Sequence, residues 1–259
     1  MKVTKLKPPH GWVGGKSRLA KEIVNLIPED HRLYVEVFGG AMNILYAKEK
    51  QSVEVVNDIN SELINLHRSI RNNPQSLTMY LNNMLISREL FDDIKNQRLR
   101  YTNNIQRAAY YYYQLTQSFG SKGENFAMNA KSRKPKNIYR EFTKWSERLK
   151  GVTIENMSFE KLLKTYDKED AFFYCDPPYV ETESYYKNTG GFGVKEHELL
   201  AATLKQVKGK FLLSYNDHKL VRELYKDFKI VQSGEIEYTL GKGVSGKSKK
   251  VREIFVMNY

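Results

Sequence analysis

Apolar positions at Leu19, Ala20, Ile23, Val24 and Ile27 recur with helical spacing, with Ser17 placed to cap the first turn and Pro28 to end the run. The period then changes. Leu33-Tyr34-Val35-Glu36-Val37-Phe38 reads as a strand running into Gly39-Gly40, a helix is predicted from about Ala41 to Lys48, and Val53–Asn57 reads as a second strand. Strand, helix and strand in this order form a βαβ unit, which implies a parallel sheet.

From Asn60 to about Lys150 the strand pattern disappears, and helices are predicted near 60–72, 75–85, 88–97, 104–118 and 137–149. A polar loop, Gly120–Asn125, and a basic run, Lys131–Lys136, separate the last two. Alternation resumes with a strand near 152–155. Ala171–Cys175 follows as a fully apolar run, the mark of a central strand buried on both faces. A helix near 195–206, a strand over 210–214, a helix near 217–226 and strands near 229–237 and 251–257 complete the chain. The last two strands flank a Gly/Ser/Lys loop with no helical pattern, so an antiparallel hairpin is predicted. The fold class is therefore α/β: a mostly parallel sheet over 1–60 and 151–259, split by a helical insert over 61–150.

Charge sharpens this division. The net charge is +12 over 259 residues, and most of the excess lies between 61 and 150. A basic module on a near-neutral body suits contact with phosphates, and a solubilising helical insert would look the same by charge alone. The N-terminus has charge but no apolar core of a signal peptide, and no run is long enough to cross a bilayer. Cys175 is the single cysteine, which excludes an internal disulfide and a cysteine-based zinc cage. These features predict a cytoplasmic protein.

Three motifs carry chemistry. Phe38-Gly39-Gly40 ends the first strand, where glycines allow a tight turn and close approach to a ligand. About twenty residues on, Asp58 follows the second strand, where a carboxylate can accept hydrogen bonds from ribose hydroxyls. Together they favour a nucleoside-containing cofactor over a tight turn and a helix cap. Gly11-Trp12-Val13-Gly14-Gly15-Lys16-Ser17 ends like a phosphate-binding P-loop, but His10 stands where the first glycine of that loop is needed and Pro8-Pro9 precedes it instead of a buried strand. What remains is a glycine-rich loop delivering Lys16.

The third motif, Asp176-Pro177-Pro178-Tyr179, directly follows the apolar strand and so lies at the carboxyl edge of the sheet. An exocyclic aromatic amine is a poor nucleophile because its lone pair is delocalised into the ring. The Asp176 carboxylate and the Pro177 carbonyl supply two acceptors for its two hydrogens, and the carboxylate offsets positive charge developing on nitrogen. Tyr179 offers a flat face to a base rotated out of a duplex. The alternative is a rigid strand-to-loop turn with an exposed tyrosine. Cys175 ends an apolar strand and reads as packing. The five histidines show no metal-ligand spacing.

These motifs, in this order, resemble the Dam-like family of N6-adenine DNA methyltransferases, in which cofactor motifs precede the recognition domain and the catalytic motif follows. The resemblance covers nearly the whole chain. It implies a Rossmann-like methyltransferase sheet, transfer of a methyl group from S-adenosylmethionine to N6 of a flipped adenine in double-stranded DNA, and S-adenosylhomocysteine as product, with no metal. By this resemblance Asp176, Pro177, Pro178 and Tyr179 are catalytic. Trp12, Gly14, Lys16, Phe38, Gly39, Gly40, Asp58, Ser158, Phe159 and Asp176 contact the cofactor, although Ser158 stands where an acidic residue is usual. Leu213–Asp217 matches a later motif beside the active site. Lys122, Asn129, Lys131, Arg133, Lys134 and Lys136 are candidate DNA contacts, mostly to phosphates. The stretches Gln117–Ser121 and Asn125–Asn129 depart from those of relatives reading GATC, so that specificity is not implied. The run Tyr110–Tyr113 points in several directions around a helix and reads mostly as packing.

The expected protein is a bacterial or phage-encoded monomer of the restriction-modification kind. An N4-cytosine methyltransferase, an RNA adenine methyltransferase and a non-catalytic DNA-binding relative are the alternatives.

Overall fold

In the computed structural model, which describes residues 2–4, 6–128, 137–181, 191–238 and 249–259, the chain opens with α1 (Ala20–Leu26), β1 (Leu33–Glu36), α2 (Asn43–Ala47) and β2 (Val53–Asn57). The insert contributes α3 (Ser61–Asn72), α4 (Pro74–Asn82), α5 (Arg88–Lys95), α6 (Asn104–Gln117) and α7 (Thr143–Leu149). The chain then forms β3 (Val152–Glu155), α8 (Phe159–Tyr166), β4 (Ala171–Cys175), α9 (Val194–Leu204), β5 (Lys210–Asn216) and α10 (Lys219–Leu224). It ends with β6 (Lys229–Gln232), β7 (Ile236–Tyr238), β8 (Lys249–Val251) and β9 (Glu253–Met257).

Seven strands form one sheet in the order β3-β2-β1-β4-β5-β9-β6. The first five are mutually parallel, and β9 runs antiparallel to both β5 and β6. The C-terminal part is thus antiparallel, as expected, with β9 inserted between its neighbours. Strand order reverses between β1 and β4, so the loops leaving their carboxyl ends diverge and open a crevice.

Side chains alternate across the sheet. Tyr34, Phe172, Tyr174 and Leu212 join one apolar cluster with α1, α2, α3, α4, α6 and α7. Val35, Phe173, Cys175, Phe211 and Leu213 join the other with α8, α9 and α10. Both faces are covered, which is why Ala171–Cys175 is apolar throughout. A small third cluster, Phe91, Ile94, Tyr113 and Ile138, belongs to the insert itself.

Several local expectations are corrected. Ser17 does not cap α1: its hydroxyl donates to Asn43 Oδ1 at 2.7 Å, and the cap position is Leu19. The strand predicted over 229–237 divides at Ser233-Gly234 into β6 and β7, and β7 pairs with β8 in a separate ribbon. Helix α8 was not foreseen, although Phe159, Leu162, Leu163 and Tyr166 have helical spacing and the Ser158 hydroxyl accepts from Lys161 N. The tyrosine run is packing: Tyr112 and Tyr113 are buried, and Tyr113 bonds the backbone of Leu85 and Ser87. Among the described residues no helix is long and apolar enough to cross a membrane.

A buried ionic cluster fastens the insert to the sheet. Glu54 on β2 pairs with Lys48 and receives Arg148 of α7 at 2.6 and 2.9 Å, while Arg148 also donates to Leu45 O. Lys48 lies over the Tyr34 ring at 4.1 Å, and burial brings its ammonium down to about 8. Removing one partner of such a cluster strands a buried charge. Glu54→Gln is therefore expected to destabilise the fold by about 3–5 kcal/mol. Urea denaturation should show a lower midpoint at unchanged slope, and an unmoved midpoint would count against this account.

Candidate active site

The ends of β1, β2 and β3 are held together by one side chain. Asn57 Nδ2 donates to Val37 O at 3.0 Å and Met157 O at 3.1 Å, while its Oδ1 accepts from Met157 N at 2.9 Å. Its backbone carbonyl accepts from Gly39 N at 2.7 Å. A Cβ on Gly39 would stand 2.9 Å from that same carbonyl oxygen, so the turn requires glycine. Gly40 has φ +49°, and a Cβ there would meet Trp12 Nε1 at 2.8 Å. Asp58 closes the turn from the next strand, accepting from Gly40 N at 2.9 Å and Asn60 N at 2.8 Å. Withdrawal from water raises the Asp58 carboxyl, and these N–H bonds offset only part of the rise.

Across the crevice, Asp176 leaves the end of β4. Its Oδ1 receives Lys16 Nζ at 2.8 Å and Ser214 Oγ at 3.0 Å. Lys16 is buried, also donates to Gly14 O at 2.7 Å, and lies 4.7 Å from the centre of the Tyr179 ring. Burial raises Asp176 to about 6 against the pull of Lys16, with Glu253 adding to the rise. For Lys16, burial acts downward, but Asp176 and Glu253 outweigh it and hold the ammonium above its ordinary value. The Tyr179 hydroxyl donates to Glu253 Oε2.

An aromatic wall lies between these groups. Phe38 packs on Phe159 and Phe192 at 5.7 and 5.8 Å, and Phe192 meets His197 at 4.9 Å. His197 adjoins Tyr215, whose ring lies 5.9 Å from that of Tyr179. The structure thus brings Lys16, Asp176 and Tyr179 into one cluster, Trp12, Gly40 and Asp58 into a second, and Phe38 with Phe159 into a third. Pro177 is buried and Pro178 half-buried. Ser158 is exposed and caps α8. Lys122 ends the short turn Phe119–Ser121. Asn129, Lys131, Arg133, Lys134 and Lys136 lie outside the described residues. Sequence reasoning missed Asn57, Phe192, Ser214 and Glu253 as individual residues. Ser214, within the motif Leu213–Asp217, and Asn57, within the motif Asn57–Asn60, carried a local signal; Phe192 and Glu253 carried none.

A parallel sheet with a glycine turn and a lysine-bound aspartate at its switch point has its crevice where α/β folds hold ligands. The profile of the D12 class N6 adenine-specific DNA methyltransferases matches residues 12–238. The chain is 35% identical to the type II methyltransferase M1.LlaDCHI of Lactococcus lactis subsp. cremoris, over 98% of this chain and 96% of that protein. It is 28% identical to the retron Ec67 DNA adenine methylase of Escherichia coli, over 95% of this chain and 90% of the relative. Identity to the type II methyltransferase M.CviBI of Paramecium bursaria Chlorella virus NC1A is 25%, over 98% of this chain and 100% of the relative. The protein belongs to the D12 class of N6 adenine-specific DNA methyltransferases, and the N4-cytosine and non-catalytic alternatives are not favoured.

The electrostatics of Asp176 can be checked directly. Carboxyl-carbon NMR should show Asp176 titrating near pH 6. In Lys16→Met the midpoint should move to higher pH, because the cation that favours the ionised form is gone. An unchanged midpoint would refute the pairing.

Proposed function

We propose that Asp176-Pro177-Pro178-Tyr179 is the catalytic loop of site-specific adenine methylation in double-stranded DNA, with the cofactor held across Phe38-Gly39-Gly40 and Asp58. The observation that carries this reading is the Lys16–Asp176 pair at 2.8 Å, set at the strand-order reversal beside the loop that follows β1. The residues fit S-adenosylmethionine. A backbone turn bare of side chains, a carboxylate on its flank and an apolar wall of Phe38 and Phe159 suit a nucleoside with a flat base. When bound, it supplies an electrophilic methyl group on a sulfonium, chemistry that needs no metal. Trp12, Gly14 and Lys16 form the side of the site nearest the N-terminal loop, and Ser158 and Phe159 its far end.

The protein's own contribution is orientation and charge. Tyr179 stacks on the flipped adenine. The Asp176 carboxylate and Pro177 carbonyl accept the two N6 hydrogens, turning the lone pair outward, and Asp176 offsets the positive charge that develops on N6. With its carboxyl near 6, Asp176 is ionised at neutral pH. The basic segment 61–150 is the target-recognition domain, with Lys122, Asn129, Lys131, Arg133, Lys134 and Lys136 as DNA contacts on a catalytic domain of 1–60 and 151–259. The relatives named as type II methyltransferases support a restriction-modification role.

The test is Asp176→Ala in a tritium-transfer assay on duplex DNA. Methyl transfer should fall by about 10²–10³-fold or more, with cofactor binding by calorimetry largely intact. Turnover retained by this variant would sink the assignment. Gly39→Ala should give the opposite pattern, weakening cofactor binding first, because its Cβ presses on the Asn57 carbonyl.

A further inference from the structure

Helix α3 buries Leu63, Ile64, Leu66 and Ile70, and among them His67 is fully buried as well. An imidazole in such a place is costly unless it is hydrogen-bonded. His67 Nε2 bonds Gly40 O at 2.9 Å, and a carbonyl only accepts, so the ring carries its proton on Nε2. Burial, with His10 adding to the effect, brings His67 down to about 3, so the ring is neutral and has this single N–H to give. Its Nδ1 is buried and makes no hydrogen bond among the described residues.

The carbonyl it holds belongs to the turn after β1. Gly40 has φ +49°, and a glycine has little conformational preference of its own. Its N–H lies in the peptide plane before its Cα and its carbonyl in the plane after it. Asp58 Oδ2 fixes the first plane at 2.9 Å, and His67 fixes the second. Together the two bonds set both dihedral angles of Gly40. The helix that carries His67 is itself anchored, since Arg68 and Arg71 donate to Ile154 O and Val152 O at 2.9 Å each. On the other side the ring lies 5.6 Å from that of His10, whose Nδ1 donates to Gly11 O at 2.9 Å and whose ring meets Trp12 edge-on at 6.1 Å.

We propose that His67 is a positioning residue for the cofactor: from α3 its Nε2–H holds the Gly40 carbonyl and, with Asp58, locks the glycine turn in the shape that receives the nucleoside. This rests on the reading of Phe38-Gly39-Gly40 and Asp58 as the cofactor turn. His10 backs the His67 ring from the loop that leads to Lys16. A core-filling histidine would need only its volume, whereas this role needs a donor at the reach of Nε2.

That difference in reach supplies the test. The amide nitrogen of glutamine lies as many bonds from Cβ as His67 Nε2 does, and that of asparagine lies one bond short. In calorimetry with S-adenosylmethionine, His67→Leu and His67→Asn should weaken binding by roughly tenfold, and His67→Gln should restore most of it. In steady-state assays on duplex DNA the loss should fall mainly on the KM for the cofactor and little on kcat. In the wild-type protein, nitrogen-15 NMR at neutral pH should find His67 as the Nε2–H tautomer and His10 as the Nδ1–H tautomer. Wild-type binding in His67→Leu would overturn the proposal. So would binding by His67→Gln no better than by His67→Leu, a loss confined to kcat, or an Nδ1–H tautomer at His67. If Gly39→Ala also leaves binding intact, the cofactor turn itself has been misread; if Gly39→Ala weakens binding and His67→Leu does not, only the role of His67 is lost.

Discussion

Two neighbouring parallel strands whose chains leave toward opposite sides cannot close the gap between their ends, and in this sheet β1 and β4 are that pair. Everything chemical in the molecule depends on the constraint. The chain from β1 turns at Gly39-Gly40 toward β2, and the chain from β4 turns at Asp176 toward β5. What keeps the crevice from collapsing on the first side is Asn57, whose three side-chain bonds and one backbone bond fasten the ends of three strands. On the second side two prolines stiffen the loop.

Among the described residues, the buried charges around Glu54 and around Asp176 are arranged differently. Around Glu54 the cluster is closed: Lys48 and Arg148 surround one carboxylate, and nearby Glu36, raised to about 8 by burial, is protonated at neutral pH. Such a cluster is a fastening, joining α7 to the sheet. Around Asp176 the cluster is smaller, with Lys16 at 2.8 Å and Ser214 at 3.0 Å on the same carboxylate oxygen. A carboxyl whose affinity for a proton is lifted by burial to about 6 still stays ionised at neutral pH. An ionised carboxylate with a raised proton affinity is what the proposed role at N6 requires.

How much of this was legible in the sequence depends on how local each signal is. The aspartate loop was readable because the apolar run Ala171–Cys175 marks the centre of the sheet, so whatever follows it must lie at the ligand edge. The turn at Gly39-Gly40 and its partner Asp58 were readable for the same reason. Ser17 misled because a hydroxyl before a helix has two uses, and Asn43 took the one that capping would have needed. Glu253 could not be read at all. Its place beside Tyr179 follows from β9 entering between β5 and β6, a pairing across long sequence separation that no local pattern announces.

The insert is more than a separate module added to this sheet. Arg68 and Arg71 of α3 donate to the carbonyls of Ile154 and Val152, and the inner faces of α3, α4, α6 and α7 share one apolar cluster with the sheet. Its outer part, around Phe91 and Tyr113, has the small core of its own. The same insert grips the segment leading to Lys16: Trp145 donates to Lys7 O at 2.7 Å, Arg140 to Pro9 O at 2.6 Å, and Tyr112 to Pro9 O at 3.3 Å. Ser121 lies so close to Gly11 that a Cβ there would meet its hydroxyl oxygen at 2.5 Å. The loop carrying Trp12 and Lys16 is therefore held from the insert at its start and by Asp176 at its end. The position of Lys16, and with it the charge balance at Asp176, is set jointly by the helical layer and the sheet.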